Sequence, residues 1–167
     1  MWEQDINIHE VREIRTRTCV YFGCGAINKI SDIAKDFKAR GLDKVIVMSG
    51  KNAYKATGAW AVVEAALKEN SIAYINYDGV TPNPTTTAVT EAAAIAKDFG
   101  AKAVIAIGGG SPTDAGKSVA ILLKYTDKNA NIPTQCTMHK LISIARFCGS
   151  GQKLTSAPPI LAVCEKQ

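Results

Sequence analysis

Residues 103–123, AVIAIGGGSPTDAGKSVAILL, place an apolar strand, three consecutive glycines and an apolar segment at helical spacing end to end. An unbroken apolar run of this kind suits a parallel strand covered on both faces, and ligands of open α/β sheets bind at the carboxyl ends of such strands. Gly108, Gly109 and Gly110 have no Cβ, so the backbone can come close to a ligand there. Ser111 reads as an N-cap, Pro112 as the first helical residue, where no amide is missed, and Asp114 as the end of a capping-box-like S-x-x-D. The free amides and positive dipole end of the helix then form an anion site. The bland alternative is a tight turn with nothing bound. Three glycines in regular structure cost roughly 0.5 to 1 kcal/mol each relative to alanine, so a bare turn would not favour them, and a phosphate is the expected occupant.

Two familiar phosphate loops do not fit. In a P-loop, GxxxxGK[ST], Gly116, Lys117 and Ser118 would supply the second half, but Ser111 stands where the first glycine belongs. Gly110 is one residue too early, which re-aims the amides. In the dinucleotide fingerprint GxGxxG, Gly108 and Gly110 match but Thr113 occupies the third glycine position.

Strand-like and helix-like stretches alternate through the chain, the signature of a parallel sheet flanked by helices. TCVYFG (18–23), KVIVMSG (44–50), SIAYINY (71–77) and AVIAI (103–107) read as strands. Helices are expected over CGAINKISDIAKDFKARG, with Ile27, Ile30, Ile33, Ala34 and Phe37 at helical spacing and Gly41 as the stop, and over WAVVEAALKEN, TAVTEAAAIAKDFG and SPTDAGKSVAILLKY. DGVTPNPTTT (78–87) is a loop whose two prolines forbid a regular ladder and whose threonines, Thr85 to Thr87, offer N-caps. Beyond Lys128 the pattern degrades: MHKLISIARF reads as a short helix and PPILAVC (158–164) as a further strand. A final strand with no covering element after it reads as a truncation.

At 167 residues, 47% hydrophobic and 21% charged, the composition is that of a globular domain with a sizeable core. The net charge of +5 is scattered, with no run of five basic residues, which argues against a nucleic-acid partner. No apolar run reaches the roughly 18 residues of a membrane span, and the charged start does not resemble a secretory signal. Five cysteines without paired spacing suit a reducing compartment, so a cytoplasmic location is expected. Cys19, Cys24 and Cys164 read as core fillers. Cys136 and His139 form an isolated CxxH that cannot close a zinc site alone, and His9 stands by itself.

With VYFGCGAINKI, VIVMSG, YDGVTPNPT and IGGGSPTDAGK in place, the chain resembles the nucleotide-binding amino-terminal domain of the iron-containing (group III) alcohol dehydrogenases over residues 11 to about 128. The order PNPT then GGGSPTDAGK carries the resemblance, and APPILAV matches the family's next strand more faintly. It implies an α/β, Rossmann-like parallel sheet flanked by helices. A dinucleotide-binding domain would span 1–128, and a divergent connection plus the last strand of the same domain 129–167. The helical metal-binding domain would be absent. By the same resemblance Gly108, Gly109, Gly110 and Ser111 hold the pyrophosphate of a nicotinamide dinucleotide. Asp114 lies by the nicotinamide ribose, with capping as its other role. Lys117 stands behind it, where it is as well explained by solvation. Thr81, Pro82, Asn83 and Pro84 line the adenosine side. No catalytic residue and no metal ligand is assigned within this chain. The family's iron or zinc ligands, an aspartate and three histidines, belong to the absent domain.

Many relatives carry an aspartate after the second strand, where it bonds the ribose hydroxyls. Here Gly50 stands in that place, followed by Lys51. Losing a carboxylate and gaining a cation favours a phosphorylated ribose, so NADP(H) is expected over NAD(H). The expected activity is interconversion of a small alcohol and its aldehyde or ketone in the full-length enzyme, with this chain inactive alone. The alternative is a non-catalytic dinucleotide-binding module, and a P-loop nucleotidase is an outsider. The open sheet edge and the face left by the missing domain suggest a homo-oligomer. Residues 129–156 depart from the family, as a shifted reading frame, a degenerate gene or a short product would make them.

Overall fold

The computed structural model describes residues 12–15, 19–124, 141–145 and 160–165. Its centre is three parallel strands, β3 (Lys44–Ser49), β4 (Ala73–Tyr77) and β5 (Ala103–Gly108), with β3 in the middle. β3 and β5 are buried along nearly their whole length, so their side chains alternate between two apolar layers instead of between core and solvent.

On one face Val45, Val47, Ala103, Ile105 and Ile107 meet α1 (Ile30–Ala39), which follows a 3-10 turn over Ala26–Lys29, and α3 (Ala59–Glu69). These helices contribute Ile30, Ile33, Phe37, Val63 and Leu67, and a short α2 (Ala53–Ala56) brings in the buried ring of Tyr54. Cys19 packs half-buried at the rim of this layer. On the other face Ile46, Met48, Val104 and Ala106 meet α4 (Thr86–Phe99) and α5 (Gly110–Lys124). The residues facing them there are small: Ala92, Ala93, Ala96, Ala115 and Ala120, with Val119 and Leu123. This is the α/β, Rossmann-like arrangement of a sheet covered by helices on both sides.

Helix ends follow from local chemistry. Thr85 Oγ1 accepts the Ala88 amide at 3.2 Å, so Thr85 is the N-cap of α4. After α1 the Gly41 amide donates to the Lys38 carbonyl and the Leu42 amide to that of Phe37; after α4, Gly100 and Ala101 bond Lys97 and Ala96 in the same way. This is the Schellman closure, which places a residue in the left-handed region and so selects glycine.

The outer part of the sheet is mixed. β1 (Arg12–Arg15) pairs antiparallel with β2 (Cys19–Phe22), β2 runs parallel to β6 (Leu141–Ala145), and β7 (Ile160–Glu165) lies antiparallel between β6 and β5. The full order is β1-β2-β6-β7-β5-β3-β4. The strand expected at PPILAVC is present as β7. The short helix expected over MHKLISIARF is not: its LISIA segment is β6. Four apolar residues in a five-residue window satisfy both periods, but two β-branched isoleucines spaced by two favour the strand, and two neighbouring strands offer it backbone partners on both edges.

α5 lies unusually close to the sheet. A Cβ on Gly116 would meet Ala106 Cβ at 2.9 Å, so Gly116 on the helix and Ala106 on β5 together set the distance between the layers. Gly116→Val forces these layers apart, and overpacking of this kind typically costs about 1–3 kcal/mol; a fall in thermal midpoint without loss of helical circular dichroism is the expected result.

Charge pairs decorate the periphery. Lys102 bonds Asp43 at 2.7 Å, and this hydrogen bond holds the Asp43 carboxyl below its ordinary value. Glu64 accepts from Tyr74 at 2.5 Å and pairs with Lys68 at 2.9 Å, lowering the Glu64 carboxyl through the Tyr74 bond first and raising Tyr74 through the same bond. A carboxyl depressed on folding stabilises above its unfolded value and loses that contribution as pH falls through the folded one. Stability should therefore decline on the acid side, below the ordinary carboxylate range. In a series of melts from neutral to acid pH, Asp43→Asn combined with Glu64→Gln should show a shallower decline than the native chain.

Candidate functional site

The turn from β5 into α5 is set by Gly108. Its φ of 154° lies in the region that favours glycine, and a Cβ there would stand 2.7 Å from Pro112 Cγ. The pyrrolidine ring thus packs into the space left by the missing side chain, and the chain reverses direction within two residues. α5 begins at Gly110, one residue before the expected cap. Ser111 is consequently inside the first turn and not the N-cap. Pro112 is the third helical residue, still in the turn whose amides have no intrahelical acceptor. Asp114 does not close a capping box: its side chain is 70% exposed and pairs with Lys117 at 3.2 Å. The carbonyl that opens the helix is Gly109's, which accepts the Thr113 amide at 3.4 Å and the Thr113 hydroxyl at 2.9 Å.

The amides of Gly110 and Ser111 donate to no acceptor among the described residues. They stand at the positive end of a 15-residue helix, the arrangement that attracts an anion. The glycines around them differ in kind. Nothing lies within 4 Å of a Cβ built on Gly109 or Gly110, and neither has a positive φ. The protein's own packing does not require glycine at either position.

β3 ends beside β5, with Ser49 opposite Ile107. The Val80 amide donates to the Ser49 carbonyl at 3.3 Å, drawing the loop after β4 over the ends of both strands. Ser49 Oγ is buried and has no hydrogen-bond partner among the described residues, one residue before the loop that follows β3. Between these elements lies a cleft of about 520 Å³, lined by Gly50, Lys51, Asn52, Gly79, Val80, Thr81, Pro82, Ile107, Gly108, Gly109, Gly110, Ser111 and Pro112. Among the described residues Lys51 is the one charged residue in this lining. The cleft is therefore open, with a lysine and the amino end of α5 at its lining.

Of the residues selected from sequence, Gly50, Lys51, Thr81, Pro82, Gly108, Gly109, Gly110 and Ser111 come together in this cleft. Pro84 and Asp114 instead line a neighbouring groove of about 490 Å³ between α4 and α5, with Val89, Ile121 and Leu122. Asn83, in a left-handed conformation with φ of 56°, lines neither cavity. Lys117 is held by Asp114 on the flank of α5. Sequence reasoning missed Asn52, for which no signal was available. It also missed Gly116, whose signal was present: GxGxxG fails at Thr113, yet the close-packing role of its third glycine passes to Gly116 one turn later.

The cleft fits a diphosphate by donor type, since the two residues with unbonded amides and a lysine line it. A metal does not fit the described residues, among which no group of three or more His, Cys, Asp or Glu side chains is assembled. Cys136, His139 and His9 lie outside the described residues. Among the described residues no helix is long and apolar enough to cross a membrane.

The profile described as "Iron-containing alcohol dehydrogenase" matches residues 18–161. The long-chain primary alcohol dehydrogenase AdhA of Thermoanaerobacter ethanolicus is 54% identical over 130 residues, which cover 78% of this chain and 33% of that protein. An NADPH-dependent butanol dehydrogenase of Clostridium saccharobutylicum is 26% identical over 144 residues, 82% of this chain and 35% of that one. The crystal structure of NADH-dependent butanol dehydrogenase A from Thermotoga maritima superposes with a TM-score of 0.64 at 29% identity, covering 84% of this chain and 35% of that one. The chain thus spans about a third of the length of these relatives. A match over most of the chain, at this identity and with the same fold, leaves one conclusion: this chain belongs to the iron-containing alcohol dehydrogenases.

Proposed function

We propose that the chain is the cofactor-binding part of a nicotinamide-dependent alcohol dehydrogenase, and that the cleft at the ends of β3 and β5 takes the dinucleotide. The observation that carries this reading is the pair of unbonded amides, Gly110 and Ser111, where the Cβ positions of Gly109 and Gly110 are open. The Gly110 and Ser111 amides would donate to the diphosphate, and Gly108 and Gly109 let the backbone approach it. Thr81 and Pro82 would flank the adenosine, while Asn83 and Pro84 follow them in the loop outside this cleft. Asp114 faces the nicotinamide ribose from the adjoining groove, and Lys117 holds the Asp114 carboxylate. When bound, the dinucleotide supplies the hydride acceptor or donor for interconversion of an alcohol and an aldehyde or ketone.

NADP(H) is preferred to NAD(H) in this reading. Gly50 leaves the end of β3 without a side chain, Lys51 supplies a cation, and among the described residues no carboxylate lines the cleft, so a ribose phosphate meets attraction from Lys51. The printed names of the relatives include one NADH-dependent and one NADPH-dependent enzyme, so family membership leaves this choice to the local residues. The family is named for its iron; the described residues of this chain offer that metal no ligand set. We place the protein in the cytoplasm on its cysteine pattern, and expect it to self-associate through the open edge of β4, the terminal strand of the sheet.

The second reading, a dinucleotide-binding module without turnover, rests on that missing ligand set. NADPH mixed with this chain, a short-chain aldehyde and ferrous or zinc ions should hold a steady absorbance with cofactor bound; consumption of NADPH would overturn the expectation that this chain is inactive alone.

Gly110→Ala gives the sharpest test of the site. Removing a glycine from a helix with open space around its Cβ should raise stability by up to about 1 kcal/mol, whereas a methyl over the diphosphate should weaken NADPH binding at least tenfold. A variant that melts higher and still binds NADPH like the native chain would remove the dinucleotide from this cleft. Parallel titration of the native chain with NADPH and NADH, followed by fluorescence, is expected to give the lower dissociation constant for NADPH, and Lys51→Glu to abolish the difference.

A further inference from the structure

We infer that Thr113 is a positioning residue for the diphosphate: its hydroxyl fixes the peptide between Gly109 and Gly110 so that the Gly110 amide faces the cleft. This rests on the dinucleotide reading of the site and assigns a role to a side chain that lines neither cavity. Thr113 is 7% exposed. Its Oγ1 donates to the Gly109 carbonyl at 2.9 Å, and its amide reaches the same oxygen at the longer distance of 3.4 Å. The hydroxyl is the shorter and better-placed of the two donors. The described backbone holds no cis peptide, and in a trans peptide the carbonyl and the following N–H point in opposite directions. Turning the Gly109 oxygen inward along α5 therefore turns the Gly110 N–H outward.

The peptide needs such a restraint. It joins two glycines, the residues with the widest backbone freedom, and beyond the adjoining chain no atom of the described residues comes within 4 Å of either Cβ position. Pro112 has no amide to contribute. The donors of the first turn thus divide: those of Thr113 are spent inward on Gly109, and those of Gly110 and Ser111 are left for the ligand. A threonine bonding the carbonyl four residues back is common within helices. Here the accepting carbonyl precedes the helix and belongs to the peptide whose other side is a ligand donor. Preorganising a donor in this way raises affinity by removing an ordering cost from binding.

The test uses the 167-residue chain with NADPH and, separately, inorganic pyrophosphate as probes. Thr113→Val, which keeps the shape and removes the hydroxyl, should weaken both about five- to tenfold, the scale of one lost hydrogen bond. Thr113→Ser should stay within about twofold of native. In 15N-resolved spectra the Gly110 amide should shift on addition of NADPH to the native and serine chains and shift less in the valine chain. A valine variant that binds both probes like the native protein overturns the role of Thr113. Should that variant fail to fold, Thr113→Ala compared with Thr113→Ser gives the same contrast, and equal affinities for these two overturn the role as well. A native chain that binds neither probe overturns the dinucleotide reading itself, and is told apart from the first failure because there the native chain binds.

Discussion

The contact between Gly108 and Pro112 governs the arrangement around it. A strand buried on both faces must be followed by a helix that returns over the sheet, and the sharpness of that return decides where the helix amino end stands. Because the proline ring fills the space where a Gly108 side chain would be, α5 starts two residues after β5 ends. One turn further on, Gly116 seats the helix against Ala106. These two close approaches fix both the tilt and the depth of α5. Its positive end consequently stands at the cleft beside the ends of β3 and β5.

The remaining packing agrees with that requirement. The face under α4 and α5 is built mainly from alanine and valine, which lets the helices lie close, whereas the face under α1 and α3 is filled by isoleucine, phenylalanine, leucine and tyrosine. Aromatic contacts among Tyr54, Trp60 and Tyr74 complete the second layer at the β4 side. The ion pairs, by contrast, are largely exposed, and such pairs contribute little to stability. The fold is held by the two apolar layers, and the charges modulate it.

Glycines in this chain serve two masters, and the distinction carries the functional reading. Gly108 and Gly116 are needed by the protein itself, through backbone conformation or through contact. Gly109 and Gly110 are not: alanine would meet nothing within the described structure. A residue that the fold does not need, at the mouth of this cleft and next to two unbonded amides, points to something outside the chain. Thr113 belongs to the same logic, since its bond to Gly109 matters most where the peptide would otherwise be free to rotate.

Much of this was legible in the order of residues. Buried runs such as VIVMS and AVIAI have no polar face to expose, so they specify inner parallel strands, and the glycines after α1 and α4 mark helix ends because only a left-handed residue closes them. The PNPT and GGGSPTDAGK segments carried the family, and with it the cleft. Tertiary structure decided what local pattern left balanced. LISIA became a strand because two open strand edges could satisfy its backbone, a condition that no short window contains. The start of α5 moved to Gly110 because Pro112 had to meet Gly108, a demand of packing and not of capping preference. Asp114 and Pro84 fell in a separate groove, since the direction of a helix, not the spacing of its residues, determines which cavity a side chain borders.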